Sequence, residues 1–365
     1  MNATNQALPW PNPMGTHGFE FVEYAASQAT QLGRLFESLG FIRIAQHRSK
    51  EVSLYRQGKI NFVVNAQPNS LAQQFARQHG PGVCAMAFRV KDSATALRHA
   101  VAAGAREIKG MIGPMELNIP AIEGIGGSLI YLVDDQTVRS IYDIDFLMSA
   151  DVDHFPIGVG LADLDHLTHN VAKGRMDYFC DFYNRVFNFS EHQYFDITGE
   201  YTGLTSRALS SPCGKIRIPI NESKHGESSG QIDQIQEFIN EYRGEGIQHV
   251  ALRTDNILNT WDQLYANGVK FMSPPPDTYY EMLEERVPGH GQKIEELRKR
   301  GILLDGANDR FLLQIFTGTL IGPIFFEIIE RHGDDGFGQG NFRALFVSME
   351  RDQIRRGVLL PSSNT

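Results

Sequence analysis

The chain has 365 residues, 42% of them apolar and 21% charged, which is long enough for two domains of ordinary size, each with its own core. Its formal charge of −9, with Lys and Arg spread thinly, argues against a nucleic-acid partner. Cys84, Cys180 and Cys213 form no C-x-x-C pair, so neither a disulfide framework nor a thiolate zinc site is expected. No apolar run reaches the roughly 20 residues that span a bilayer, and the N-terminus has no basic segment followed by an apolar one. The expectation is a cytoplasmic protein without a membrane partner.

In chain order, helical apolar spacing appears first at Thr30–Leu39 and next at Ala94–Ala103, which runs up to Gly104. A polar stretch with Gly and Pro, Ser149–Asp163, reads as a linker. Beyond it, Asp177–Val186 and Ile257–Asn267 repeat the helical spacing. The repeat extends to strands: G-P-G-V-C-A-M-A-F-R (80–89) aligns without gaps on G-E-G-I-Q-H-V-A-L-R (244–253). L-F-E-S-L-G-F (35–41) likewise matches Y-N-R-V-F-N-F (183–189) in apolar pattern. An α+β fold of four βαβββ modules is expected, two in a domain over 1–155 and two over 156–365. Paired modules curve into open, barrel-like cups whose strands converge on a ligand. An insertion at Pro274–Gly301 carries the helix Gln292–Arg300. The C-terminal helix presents Phe342, Leu345, Phe346 and Met349 on one face, for a packed terminal helix or a lid.

Three apolar runs each hold one metal-binding side chain: His166 in D-H-L-T-H-N-V, His249 in G-I-Q-H-V-A-L and Glu327 in I-F-F-E-I-I-E. Two imidazoles and a carboxylate are the ligand set that holds a ferrous ion on one face and leaves the other open. A lone His in such a strand is more often a core residue, but a carboxylate among Ile and Phe must be neutralised, paired or bound to a cation. His166 and His169 are three apart and point to opposite sides of a strand; His166 is chosen for the cup. In the repeat, Ala85 takes the place of His249, and His166 and Glu327 fall near Phe19 and Tyr131, so the first half lacks all three. Ser206, Asn221, Gln234, Gln248 and Gln314 lie in or beside apolar segments, where they furnish a pocket or bond to backbone. Phe316, Phe325, Phe337, Phe342 and Phe346 form an aromatic wall or pack in the core.

D-H-L-T-H-N-V, Y-T-G-L-T-S, I-P-I-N-E, G-E-G-I-Q-H-V-A, P-P-D-T-Y-Y, R-G-I-L-L-D-G, L-L-Q-I-F, G-P-I-F-F-E-I-I-E-R and G-F-G-Q-G-N-F-R-A-L-F resemble the 4-hydroxyphenylpyruvate dioxygenases of bacteria, in a likeness running from about Asn12 to Leu359. The resemblance implies a vicinal-oxygen-chelate fold with one Fe(II) per subunit. It also implies conversion of 4-hydroxyphenylpyruvate and O2 to homogentisate and CO2 in tyrosine and phenylalanine breakdown. The substrate is itself a 2-oxo acid, so no 2-oxoglutarate co-substrate is expected. By the same resemblance His166, His249 and Glu327 are the iron ligands, and Ser206, Asn221, Gln234, Gln248 and Gln314 orient the substrate. Phe316, Phe325, Asn341, Phe342 and Phe346 form the walls and closing helix, with Phe337–Gly338 at the hinge. A homo-oligomer, tetramer or dimer, is also implied. The competing readings are a 4-hydroxymandelate synthase, an extradiol ring-cleaving dioxygenase and a duplicated binding module without catalysis.

Overall fold

A computed structural model describes residues 10–359 apart from 111–112, 114–115, 136–138, 200, 225–231 and 308; the N-terminal segment read for a basic and an apolar run thus lies largely outside the described residues. Two sheets of nine and eight strands carry the fold. In the first, Thr16–Ala25 pairs parallel with Ile60–Asn65 and antiparallel with Gly82–Val90, which in turn is parallel to Leu129–Asp134. In the second, Leu161–Val171 pairs parallel with Arg217–Ser223 and antiparallel with Gly246–Thr254, itself parallel to Phe325–His332. The outer strands follow the same order, and the first sheet adds Phe146–Met148 at one edge. Each half is thus two βαβββ modules in a vicinal-oxygen-chelate arrangement, the four modules joined in pairs through the centre of each sheet.

The central strands are buried almost without interruption because helices cover one face and the cup lies on the other. Gly82–Val90 and Gly246–Thr254 are buried at every position but one. The helices that cover them, Ala29–Ser38, Ser93–Ala102, Met176–Phe187 and Ile257–Ala266, match the expected spans within a residue or two. Two more helices, Leu71–His79 and Gln234–Tyr242, link the modules within each half. Capping side chains start both: Ser70 Oγ accepts from Gln73 N at 3.1 Å, and Asp233 Oδ1 accepts from Ile235 N and Gln236 N at 2.9 Å. The insertion holds two short helices, Asp277–Glu281 and Leu283–Arg286, before Ile294–Arg300.

One apolar cluster joins the halves: the Phe88 ring meets Phe187 edge-on at 5.3 Å, and Phe62 lies 6.0 Å from Phe326. Residues 149–160 contain neither helix nor strand, but Leu161, inside the stretch read as linker, already begins a strand. This connection is anchored, since Gln57 Oε1 accepts from Val159 N at 2.6 Å. Gly158, at φ +58°, lies so close that a Cβ would stand 2.3 Å from that oxygen.

Candidate metal centre

Registers place the three candidate donors in one layer of the second cup. His166 pairs with Ala251, Ala251 with Glu327, and His249 with Thr168 and Phe325. Three strands therefore each deliver one donor, and all three side chains are buried. Glu327 Oε2 lies 3.3 Å from His166 Nε2 and 3.4 Å from His249 Nε2, and the three donor atoms all lie within 4.8 Å of one another. A cation about 2.1 Å from each of three donors at right angles needs them about 3 Å apart, so the set fits a metal held on one face.

The ring nitrogens turned away from the cluster are fixed by neighbours. His166 Nδ1 is 2.8 Å from Asp165 Oδ1, and His249 Nδ1 is 3.1 Å from Gln248 Oε1. Each imidazole thereby donates outward and keeps the Nε2 lone pair for the centre. Gln314 Nε2 donates to Glu327 Oε1 at 2.8 Å, and its own Oε1 accepts from Asn341 Nδ2 at 2.9 Å. Asn341 Oδ1 in turn accepts from the Tyr279 hydroxyl at 2.6 Å. Asp165 is itself buried and takes two bonds from Arg331, at 2.7 and 2.8 Å. Burial would raise the Asp165 carboxyl, but Arg331 overcomes it and holds it well below the usual carboxylate range. Burial would likewise raise Glu327, yet the two imidazoles pull it down to about 2. The acid is therefore an anion, ready for a cation.

His169 stands apart. It faces helix Met176–Phe187, with Nε2 2.7 Å from the Tyr183 hydroxyl, and burial pushes its imidazole down to about 3. The strand's alternation separates the two histidines despite irregular register on either side of this stretch.

Beside the three donors lies a pocket of about 30 Å3 lined by Ser206, Asn221, Gln314, Phe316, Phe337 and Phe342, all named from the sequence. Three polar atoms on this lining have no protein partner: Thr168 Oγ1, Ser206 Oγ and Asn221 Oδ1. Five other residues named with them do not reach the pocket. Gln248 sits at the register break beside His249, bonded to its ring, and lines a separate groove with Gln234. Phe325 stacks behind the His249 ring at 4.8 Å, Asn341 stands behind Gln314, and Phe346 is buried beside Phe195 and Phe337. Thr168, Phe195 and Pro219 line the pocket but were not singled out from the sequence, whereas Leu345 was named on the face of the C-terminal helix. Thr168 was legible, because it lies two residues from His166 on the same strand and therefore on the same face. Asp165 was legible too, as a second carboxylate in an apolar run; its partner Arg331, 166 positions away, was not.

The same registers correct one detail of the repeat. Phe21, not Phe19, pairs with Ala87, the counterpart of Ala251, and so occupies the place of His166. Irregular register on both sides of Phe19 and of His166 shifts the count. Ala85 and Tyr131 hold the places of His249 and Glu327.

Comparison with known proteins follows the two halves. Residues 10–147 match the family model described as hydroxyphenylpyruvate dioxygenase, HPPD, N-terminal, and residues 163–292 that of the glyoxalase/bleomycin resistance protein/dioxygenase superfamily. The chain is 57% identical to 4-hydroxyphenylpyruvate dioxygenase of Pseudomonas sp. (strain P.J. 874), covering 96% of this chain and 98% of that one. It is 59% identical to hemolysin VllY of Vibrio vulnificus, over 95% and 98% of the two chains. Among solved structures, a variant of 4-hydroxymandelate synthase from Streptomyces coelicolor shares the fold, with a TM-score of 0.81 at 24% identity over 93% of this chain and 100% of that one.

Proposed function

The chain belongs to the 4-hydroxyphenylpyruvate dioxygenase family, and we infer that His166, His249 and Glu327 hold one Fe(II) per subunit for its reaction. That reaction converts 4-hydroxyphenylpyruvate and O2 to homogentisate and CO2. The observation that carries the assignment of the centre is a buried His, His, Glu set beside partnerless polar atoms and aromatic walls. Bound there, Fe(II) would supply the redox chemistry, and because the substrate is itself a 2-oxo acid no 2-oxoglutarate co-substrate is needed.

The chain's own residues bind, orient and exclude water. Thr168 Oγ1, Ser206 Oγ and Asn221 Oδ1 meet the polar atoms of the substrate, since a partnerless buried polar atom costs about 1–3 kcal/mol that a ligand can recover. Phe195, Phe316, Phe337 and Phe342 enclose the aromatic ring and keep water from the reacting atoms. Gln314, tied to both Glu327 and Asn341, couples the carboxylate's position to the C-terminal helix. Gln234 and Gln248, from behind the cup, position the strands around the substrate. We extend the proposal to the two domains 1–155 and 156–365, a homo-oligomer (tetramer or dimer), a cytoplasmic location, and a place in tyrosine and phenylalanine breakdown.

Anaerobic loading with Fe(II), followed by oxygen uptake and product chromatography with 4-hydroxyphenylpyruvate, tests the reading. Homogentisate and CO2 in equal amounts are expected. Accumulation of 4-hydroxymandelate without homogentisate would overturn it, as would ring opening of a catechol without turnover of the keto acid.

The outward bond to His166 gives a further expectation. Asp165→Asn removes the anion that fixes the imidazole, and metal affinity should fall about 10- to 100-fold. Arg331 retains its bonds to the carbonyls of Asp334 and Gly336, which limits the damage to folding. Metal titration followed by fluorescence measures the shift; unchanged affinity would show that Asp165 has no hold on the ligand.

A further inference from the structure

The first half keeps the cup but not the donors. Where the second has His166, His249 and Glu327, the first has Phe21, Ala85 and Tyr131, so no metal chemistry carries over. Two polar positions tell a different story. Asn65 occupies the place of Asn221, each pairing one residue beyond the centre with the parallel neighbour strand, and Glu23 occupies the place of Thr168. These residues line a cavity of about 450 Å3, within the range of small-molecule sites and far larger than the pocket of the second half.

Glu23 is 6% exposed, and Asn65 Nδ2 donates to its Oε1 at 2.6 Å. One neutral amide is weak compensation for a buried carboxylate. Lys50 and Lys109 line the same cavity, but their ammonium groups lie 2.6 Å from Glu116 and 3.8 Å from Glu107, and the attraction of Lys50 for Glu23 does not offset burial. Burial raises the Glu23 carboxyl's pKa, as expected for an acid short of positive charge. The walls around it are aromatic: Phe21 and Tyr131 lie 5.6 Å apart between ring centres, and Tyr142 and Phe146 6.0 Å apart. A carboxylate among aromatic faces is the pattern that recognises a substituted ammonium, through ion pairing and cation–π attraction together. The volume left over accommodates a ring.

We propose that this cavity is a second ligand site, distinct from the metal centre, that takes a small aromatic amine with its ammonium on Glu23 and its ring against Phe21 and Tyr131. An anion of the same size is disfavoured there, because it would face Glu23 while both lysines on the lining already face glutamates.

Calorimetric titration of the full-length chain with tyramine tests this, with 4-hydroxyphenylacetate as the anion of matching ring. One tyramine per chain is expected, and Glu23→Gln should weaken it about tenfold or more while leaving oxygen uptake with 4-hydroxyphenylpyruvate unchanged. Val52→Phe, which fills the cavity from the strand paired with Asn65 and leaves the Glu23 carboxylate in place, should abolish tyramine binding as well and serves if the Gln variant fails to fold. No binding at millimolar tyramine would overturn the proposal. So would binding indifferent to both substitutions but lost in Glu327→Ala, which would place the amine at the metal centre. An effect of Glu23→Gln on 4-hydroxyphenylacetate equal to that on tyramine would also overturn it.

Discussion

Glu327→Ala and His249→Ala each yield a folded protein that retains no iron and does not turn over. Removing Glu327 leaves two imidazoles whose outward nitrogens are still held by Asp165 and Gln248, so the strands need not rearrange. The carboxylate's own partners are Gln314 and the two rings, and the buried centre loses the anion that faces both Nε2 atoms. A bound metal contributes several kcal/mol of charge stabilisation. At about 1.4 kcal/mol per decade, its loss lowers the rate by roughly three orders of magnitude or more. Iron analysis after gel filtration, with circular dichroism and a melting curve, separates the outcomes. A variant that keeps one iron per chain and full turnover would show that the three side chains are structural.

Much of the architecture was legible because a duplicated fold shows itself twice. The gapless match of 80–89 to 244–253 set Ala85 opposite His249, and the paired registers of Gly82–Val90 and Gly246–Thr254 reproduce that alignment. Alternation along one strand separated His166 from His169. The connecting helices Leu71–His79 and Gln234–Tyr242 were missed although Ser70 and Asp233 mark their starts and their apolar residues are helically spaced. The displacement of the His166 counterpart from Phe19 to Phe21 follows from register irregularities, which a count along the sequence cannot contain. Partners far apart in sequence, Asp165 with Arg331 and Tyr279 with Asn341, depend on the folded topology alone.

Deleting the chain from Phe342 onward uncouples oxygen consumption from homogentisate formation more than it harms folding. Helix Gln339–Arg356 begins at Gly338, in a left-handed conformation at φ +67°, and an added Cβ there would lie 2.5 Å from Gln314 Oε1. From that start it lays Phe342 and Leu345 over the pocket and buries Phe346 beside it. Its outer turns are tied down as well: Glu350 Oε1 accepts from Thr202 N at 2.7 Å and from its hydroxyl at 2.6 Å, and Gln353 Nε2 donates to Glu237 at 2.8 Å. With the helix so placed, the pocket of about 30 Å3 has room for about one water, and a keto acid with a phenol ring can enter only if the helix or Phe337 gives way. The expected role of the helix is a cover that opens for substrate and closes over it. Its apolar residues pack in two small clusters, not in the large core that joins the two halves. Burying Phe342, Leu345 and Phe346 contributes about 1.5–3 kcal/mol each, so the truncated chain melts lower but keeps its main core. Without the cover, water reaches the centre once decarboxylation has begun, and intermediates are lost before the ring is hydroxylated. The homogentisate formed per O2 consumed should fall well below one in the truncated protein, and Phe346→Ala should shift it the same way by a smaller amount. A folded truncation with an unchanged ratio would leave the helix a packing element only.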